Sequence, residues 1–151
     1  MEPVLLDLPE VLETDRLILR PPRRGDGPAM NEAILETFES LHRWMPWATA
    51  RPSVDETEAH VRRSAASFVA RTSLPMLIVR RDSQAFVGAT GLPRMDWSVP
   101  RFEIGYWIRQ RCEGQGYMSE AVAALTRFAF TTLAAARVEI HCSHRNVRSQ
   151  R

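Results

Sequence analysis

Two glycines, Gly114 and Gly116, stand one residue apart in the stretch RQRCEGQGYMSEA, between a strand-like run and a helix-like run. Because glycine has no Cβ, its backbone adopts unusual φ values and approaches a ligand closely. The first amides of a helix have no partner within the helix, and together with the helix dipole they favour an anion. The stretch is therefore a candidate phosphate-binding loop, to which Arg109 and Arg111 add positive charge. A plain tight turn into a helix is the alternative.

Two common phosphate-binding motifs do not fit this loop. The loop of nucleoside triphosphatases needs a lysine after its second glycine, but all 20 basic residues of the chain are arginine. The dinucleotide fingerprint G-x-G-x-x-G needs a third glycine where Ser119 stands, and it begins directly after a strand, whereas Arg109 to Glu113 intervene here. The spacing therefore argues against both ligands and leaves other phosphates open.

Glu103 is the second residue that could do chemistry, in the strand-like run RFEIGYWI. Apolar residues such as Phe102 and Ile104 alternate with it, so Glu103 shares its face with Gly105 and Trp107. A carboxylate beside buried surface takes up a proton more readily than one in water, and it can act as a general base. A solvent-facing glutamate, or a partner for a nearby arginine, is the alternative.

The surrounding sequence predicts the elements that would position these residues. A strand is predicted in TDRLILRPP, and a first helix is predicted from about Pro28 to Arg43, with Asp26 as its cap. A second helix is predicted to begin at a capping box formed by Ser53 and Glu56 and to end at about Ala70. The runs PMLIVRR, AFVGATGL and RFEIGYWI indicate an antiparallel meander. A helix over Met118–Leu133 then leads to a strand, RVEIHC, which a crossover makes parallel to RFEIGYWI. The class predicted is mixed α/β (α+β).

Composition restricts the class of protein further. A length of 151 residues suits one domain, and a net charge of +2 does not call for a nucleic-acid partner. No apolar run reaches the ~20 residues of a membrane span, and the acidic N-terminus lacks a secretion signal. We therefore predict a cytoplasmic protein without a membrane partner. The cluster His141, Cys142 and His144 does not predict a metal site, because adjacent strand residues point to opposite faces and a fourth ligand is missing.

Taken together, these stretches resemble the GNAT family of N-acetyltransferases. RCEGQGYMSEA matches the family motif R/Q-x-x-G-x-G/A, with Arg111, Gly114 and Gly116 in the motif positions, and EIGYWI and RFAF match on either side. LETDRLILRP and the WMPW segment extend the resemblance to the subgroup that acetylates N-terminal alanines of ribosomal proteins. The resemblance covers residues 12–151 in order. It implies the GNAT fold, with a mixed, mainly antiparallel central sheet flanked by helices.

By this resemblance the ligand of the loop is acetyl-coenzyme A, a co-substrate that needs no metal. Its pyrophosphate would meet amides from about Cys112 to Tyr117, and its pantetheine arm would pair like an added strand with the backbone near Trp107 and Ile108. Asn146 would hydrogen-bond the same arm. The residues implied as contacts of acetyl-coenzyme A are Trp107, Ile108, Arg111, Gly114, Gln115, Gly116, Tyr117 and Asn146.

The resemblance also implies a reaction, the transfer of acetyl to a primary amine and preferably to a protein N-terminal α-amine. Glu103 would act as base through a water molecule, and Ser149 would protonate the departing thiol; a polar tail is the alternative for Ser149. Trp44 and Trp47 would shape the acceptor site, with ordinary packing as their alternative. A small-molecule amine acetyltransferase, a non-catalytic acyl-coenzyme A binding module and a nucleic-acid binder stay open.

The sequence departs from the family pattern at its end. A strand–helix–strand unit should follow RNVRS, so residues 1–151 are expected to be a single GNAT domain that is incomplete at its C-terminus and lacks that unit. The strand near Val138–Cys142 would then have an exposed edge. Because such edges pair with other chains, a homo-oligomeric contact is predicted there.

Overall fold

A computed structural model describes residues 2–140 of the chain. Its six strands form one sheet in the order β1 to β6, and every neighbouring pair is antiparallel except β5 and β6. The strands are β1 (Leu12–Glu13), β2 (Leu17–Arg20), β3 (Leu74–Arg80), β4 (Phe86–Asp96), β5 (Arg101–Ile108) and β6 (Arg137–Ile140). The predicted mixed, mainly antiparallel sheet is therefore confirmed.

Three helices cover this sheet. They are α1 (Gly27–Trp44), α2 (Val54–Ala70) and α3 (Tyr117–Thr131), with short 3₁₀ turns at Pro3–Leu5 and Gln110–Cys112. One hydrophobic cluster joins α3 to the sheet through buried residues such as Leu125, Phe128 and Ile104, while the other lies between the sheet and α1 and includes Ile34 and Trp107. No helix within residues 2–140 is long and apolar enough to cross a membrane.

The two helices α1 and α2 begin in different ways. Ser53 and Glu56 form the predicted capping box at the start of α2, with reciprocal hydrogen bonds of 3.0 and 3.1 Å. The predicted side-chain cap by Asp26 is wrong, because the Asp26 carboxylate pairs with the Arg20 guanidinium at 2.8 Å. Its place is taken by Glu58 of α2.

Glu58 joins the N-terminus of α1 to α2. Its carboxylate accepts hydrogen bonds from the amides of Gly25 (3.0 Å) and Gly27 (2.8 Å). These bonds and the Arg62 guanidinium lower the pKa of Glu58 to about 2. A Cβ at Gly27 would lie 2.5 Å from Oε1 of Glu58 and 2.7 Å from its Cα, so only glycine permits this contact between the helices. The contact fixes the two helices that cover one face of the sheet.

β6 is the last strand of the sheet within residues 2–140, and it pairs with β5 from Arg137 to Ile140. The crossover through α3 makes this pair parallel, as predicted. The remainder of the predicted strand, together with Asn146, Ser149 and the cluster at 141–144, lies outside the described residues. The contact with a second chain at this edge stays a prediction.

Candidate active site

The glycine loop connects β5 to α3 and presents an uninterrupted row of backbone donors. Gly114 and Gly116 have φ values of +77° and +79°, in the left-handed region that favours glycine. Gly116 is the N-cap residue of α3. The first backbone hydrogen bond of this helix runs from the Glu120 amide to the Gly116 carbonyl, at 3.1 Å. Among the described residues, the amides from Gly114 to Ser119 have no hydrogen-bond partner.

The donor row begins two residues later than predicted. The amides of Cys112 and Glu113 donate to the carbonyls of Arg109 (2.9 Å) and Gln110 (3.2 Å), because the chain forms a 3₁₀ turn there. These two amides are therefore occupied, and the row of amides without a partner starts at Gly114.

A residue of the N-terminal hairpin supports the outer side of the loop. Nη1 of Arg16 donates to the Gln115 carbonyl at 2.9 Å, and its guanidinium lies 4.4 Å from the centre of the Tyr117 ring. Nε of Arg16 also donates to Glu120 in the first turn of α3 at 2.8 Å, and the Thr14 hydroxyl donates to the same carboxylate. Arg16 and Thr14 were missed as site residues, although they stand in the TDRLILRP stretch that carries part of the resemblance.

The two arginines of the loop are both paired with Glu36 of α1. Arg109 is inside the protein and lies 3.1 Å from Glu36, while the exposed Arg111 approaches the same carboxylate to 2.6 Å. Burial would raise the pKa of Glu36, but hydrogen bonds from the Arg111 amide and from both guanidinium groups hold it below its ordinary value. Glu36 therefore neutralises part of the positive charge that the two arginines add to the loop.

Strands β4 and β5 approach each other closely where β5 leads into the loop. Gly88 stands opposite Ile108, and a Cβ at Gly88 would lie 2.4 Å from the Trp107 carbonyl oxygen. The Arg109 amide donates to the Val87 carbonyl at 2.8 Å on the same side. On the other side, the described part of β6 ends opposite Ile104, and Trp107 and Ile108 extend past it.

A cavity of about 890 Å³ lies between helices α1 and α2 and strands β3 to β5. Glu103, Gly105 and Trp107 line it, together with Ile104 and Tyr106. Trp107 belongs to the cluster against α1, while Phe102 and Ile104 belong to the cluster against α3, an alternation that agrees with the face predicted for Glu103. The cavity is of a size that encloses small ligands. Its lining includes the two remaining candidates, Trp44 and Trp47. Residues separated by more than 50 positions in the sequence are thus brought to one space.

Glu103 and Trp47 are two of the residues that line this cavity. Oε2 of Glu103 lies 3.6 Å from Nη1 of Arg94, and their side chains are 23% and 84% exposed. Trp47 is 51% exposed, and its ring centre lies 6.3 Å from that of Trp107. An ion pair with so exposed an arginine contributes little to stability.

The sequence profile described as acetyltransferase (GNAT) domain matches residues 16–151. The chain belongs to the GNAT family of acetyltransferases. Both the predicted family and the GNAT fold are thereby confirmed. The chain is accordingly an acetyl-coenzyme A-dependent N-acetyltransferase, and the alternative of a non-catalytic binding module is set aside.

Known proteins similar to this GNAT chain agree with that assignment. YoaA of Bacillus subtilis, named as an uncharacterized N-acetyltransferase, is 28% identical over 130 residues, which are 85% of this chain and 71% of YoaA. A provisionally named ribosomal-protein-serine acetyltransferase of Vibrio cholerae is 28% identical with a TM-score of 0.81, over 93% of this chain and 78% of that one. RimL, a ribosomal L7/L12 alpha-N-protein acetyltransferase solved with coenzyme A, shares the fold at 23% identity and a TM-score of 0.86, over 93% of this chain and 79% of RimL.

The residues of the loop fit the acetyl donor of this family. A diphosphate needs several convergent donors, and the row from Gly114 to Ser119 supplies six amides at a helix N-terminus. Nothing lies within 4 Å of a Cβ placed on Gly114, so the start of this row is open. Within residues 2–140, no group of three or more His, Cys, Asp or Glu side chains is placed to hold a metal ion.

Proposed function

We propose that this enzyme acetylates the α-amine of a protein N-terminus, with a ribosomal protein as the acceptor. The observation that carries the proposal is the cavity that both Glu103 and the half-exposed Trp47 line. An extended N-terminal segment can enter past Trp47 and bring its first amine to Glu103. The names of the Vibrio cholerae protein and of RimL support the same acceptor class. Such an acceptor would place the enzyme in the cytoplasm.

Within this proposal, the two halves of the site have separate tasks. The amides from Gly114 to Ser119 bind the pyrophosphate, and the backbone near Trp107 and Ile108 holds the pantetheine arm and donates to the oxyanion. Glu103 accepts a proton from the acceptor ammonium through a water molecule, so that the nitrogen lone pair attacks the acetyl carbonyl carbon. The bond from that carbon to sulfur then breaks, and the nitrogen releases its second surplus proton, so that a neutral amide forms while the departing thiolate takes up one proton.

The proposal also covers the part of the chain beyond Ile140. Asn146 is proposed to bind the pantetheine arm, and Ser149 is proposed to return a proton to the departing thiolate. Residues 1–151 are proposed to belong to a single GNAT domain, with a homo-oligomeric contact at the edge formed by β6.

Peptides that copy ribosomal N-termini are expected to be acetylated faster than small amines. The measurement is the rate of coenzyme A release with peptides that begin with alanine or serine, beside an aminoglycoside and free amino acids at equal concentration. The same peptides with a blocked α-amine serve as control and should give no turnover. A higher kcat/KM for a small amine than for every peptide would show that the acceptor class is wrong, while acetyl transfer itself would stand.

Trp47→Ala is expected to raise the KM for a peptide acceptor about tenfold, because an aromatic side chain at a binding surface typically contributes that much. The KM for acetyl-coenzyme A should stay within about twofold, since Trp47 lies on the cavity and not on the glycine loop. Steady-state kinetics with each substrate varied in turn separates the two constants. Trp47→Phe, which keeps an aromatic ring, should restore most of the acceptor affinity; equal increases in both constants would contradict a role in acceptor binding.

A further inference from the structure

Helix α1 holds the beginning of the glycine loop through two consecutive side chains. Oε2 of Glu36 accepts from the Arg111 amide at 3.0 Å, and Oε1 accepts from Nε of Arg111 at 2.7 Å. Thr37, which is buried, accepts from the Gln110 amide through its hydroxyl at 2.9 Å. Both backbone amides belong to the 3₁₀ turn that precedes Gly114.

Glu36 also holds Arg109, whose side chain is only 8% exposed. Its guanidinium donates to both oxygens of Glu36, at 3.3 Å from Nε and 3.1 Å from Nη2. Nη1 reaches the Phe86 carbonyl at 3.4 Å on β4. A buried guanidinium requires a partner of opposite charge, and water cannot replace that partner in this position. Glu36 therefore links α1, β4 and the loop into one rigid unit.

The sign of the charge on Glu36 is opposite to what an anion site needs. A carboxylate close to the loop repels a pyrophosphate and neutralises the arginines beside it, so simple attraction does not explain its presence. Its hydrogen bonds instead hold residues 109–111 in the turn from which the free amides of Gly114 to Ser119 follow. We propose that Glu36, assisted by Thr37, is a positioning residue for binding of the acetyl-coenzyme A pyrophosphate. This inference rests on the role proposed above for the glycine loop.

Glu36→Gln keeps the size of the side chain and removes its charge. A positioning role for Glu36 and a purely electrostatic role predict opposite changes in acetyl-coenzyme A affinity for this variant. If the loop were rigid without Glu36, the positive charge released on Arg111, and in part on Arg109, which also lies 3.6 Å from Glu32, would strengthen acetyl-coenzyme A binding. If Glu36 positions the loop, the dissociation constant should rise about tenfold, the usual effect of losing hydrogen bonds to a charged group. Isothermal titration calorimetry with acetyl-coenzyme A and the full chain gives the sign directly, without any acceptor.

Two further variants keep the test decisive. Glu39→Gln removes the same charge from an exposed position of α1 and should leave the dissociation constant within about twofold. Thr37→Val removes the hydroxyl without changing net charge or shape, and it should weaken binding about threefold or more. If Glu36→Gln does not fold, as judged by circular dichroism, Thr37→Val decides the matter, and unchanged binding by that variant would overturn the proposal.

A truncated donor distinguishes positioning from general damage. Acetyl-pantetheine lacks the pyrophosphate, so its KM should be the same in the wild type and in Glu36→Gln, while the KM for acetyl-coenzyme A rises. Equal losses with both donors, or tighter binding of acetyl-coenzyme A, would overturn the proposal. Failure of the loop assignment itself would be seen separately, as retained binding in the Gly116 variant described below.

Discussion

Gly116→Val is expected to abolish acetyl-coenzyme A binding, with a loss of about hundredfold or more in affinity. Gly116 has a φ of +79°, a conformation that a β-branched residue avoids at a cost of about 1–2 kcal/mol or more. A Cβ there would lie 3.4 Å from Nη2 of Arg16, so the guanidinium that supports the loop must give way as well. A displaced backbone no longer directs its amides to one point, and each lost bond to a charged phosphate adds about 1.5–3 kcal/mol.

The measurement is calorimetric titration with acetyl-coenzyme A, accompanied by a thermal unfolding curve. Gly25→Val is the matched control, because Gly25 also has a positive φ, +99°, with nothing within 4 Å of its Cβ position, and lies in the turn before α1. That variant should lose some stability and keep its affinity. Retained binding by a folded Gly116→Val protein would falsify the assignment of the pyrophosphate to this loop.

Glu103→Gln is expected to lower kcat about hundredfold, the low end of the range for removal of a general base. Glutamine has nearly the same shape, so the cavity and the position of the acceptor should change little. Because Glu103 lies on the cavity and away from the loop amides, the dissociation constant for acetyl-coenzyme A should stay within about twofold. Single-turnover kinetics with a saturating peptide acceptor measures the chemical step apart from product release.

The alternative role for Glu103 is a partner for Arg94, and Arg94→Gln tests it. Their charged atoms are 3.6 Å apart with Arg94 largely exposed, and such a pair contributes about 0–1 kcal/mol. Arg94→Gln should therefore reduce kcat far less than Glu103→Gln does. Matching losses in the two variants would indicate that Glu103 acts through the ion pair and not as a base.

Local features of the site could be predicted because their causes are local. The alternation of RFEIGYWI placed Glu103 and Trp107 on one face, since side chains in a strand alternate with a period of two. The capping box of α2 involves only Ser53 and Glu56, three residues apart. Gly114 and Gly116 adopt left-handed backbone conformations, and glycine is the residue that adopts these conformations most easily.

Contacts between distant segments could not be predicted in the same way. Glu36 bonds to Arg109 across 73 positions, Glu58 to Gly27 across 31, and Arg16 to Glu120 across 104. A carboxylate in a helix is compatible with many partners, and its choice depends on which elements the sheet order brings together. The wrong cap at Asp26 has this cause, because Arg20 on β2 takes the carboxylate and Glu58 on α2 serves the helix instead.

The sequence by itself determined the family, the mainly antiparallel sheet, the glycine loop and the face on which Glu103 lies. The family was recognised from the resemblance of its motif residues, whereas the sheet, the loop and the face of Glu103 follow from backbone preferences and side-chain periods that act over a few residues. Only the tertiary structure decided which amides of the loop are free, which carboxylate neutralises its arginines and which side chains share a cavity with Glu103. Those properties depend on packing between elements, where burial and hydrogen-bond geometry select one partner among several of suitable chemistry.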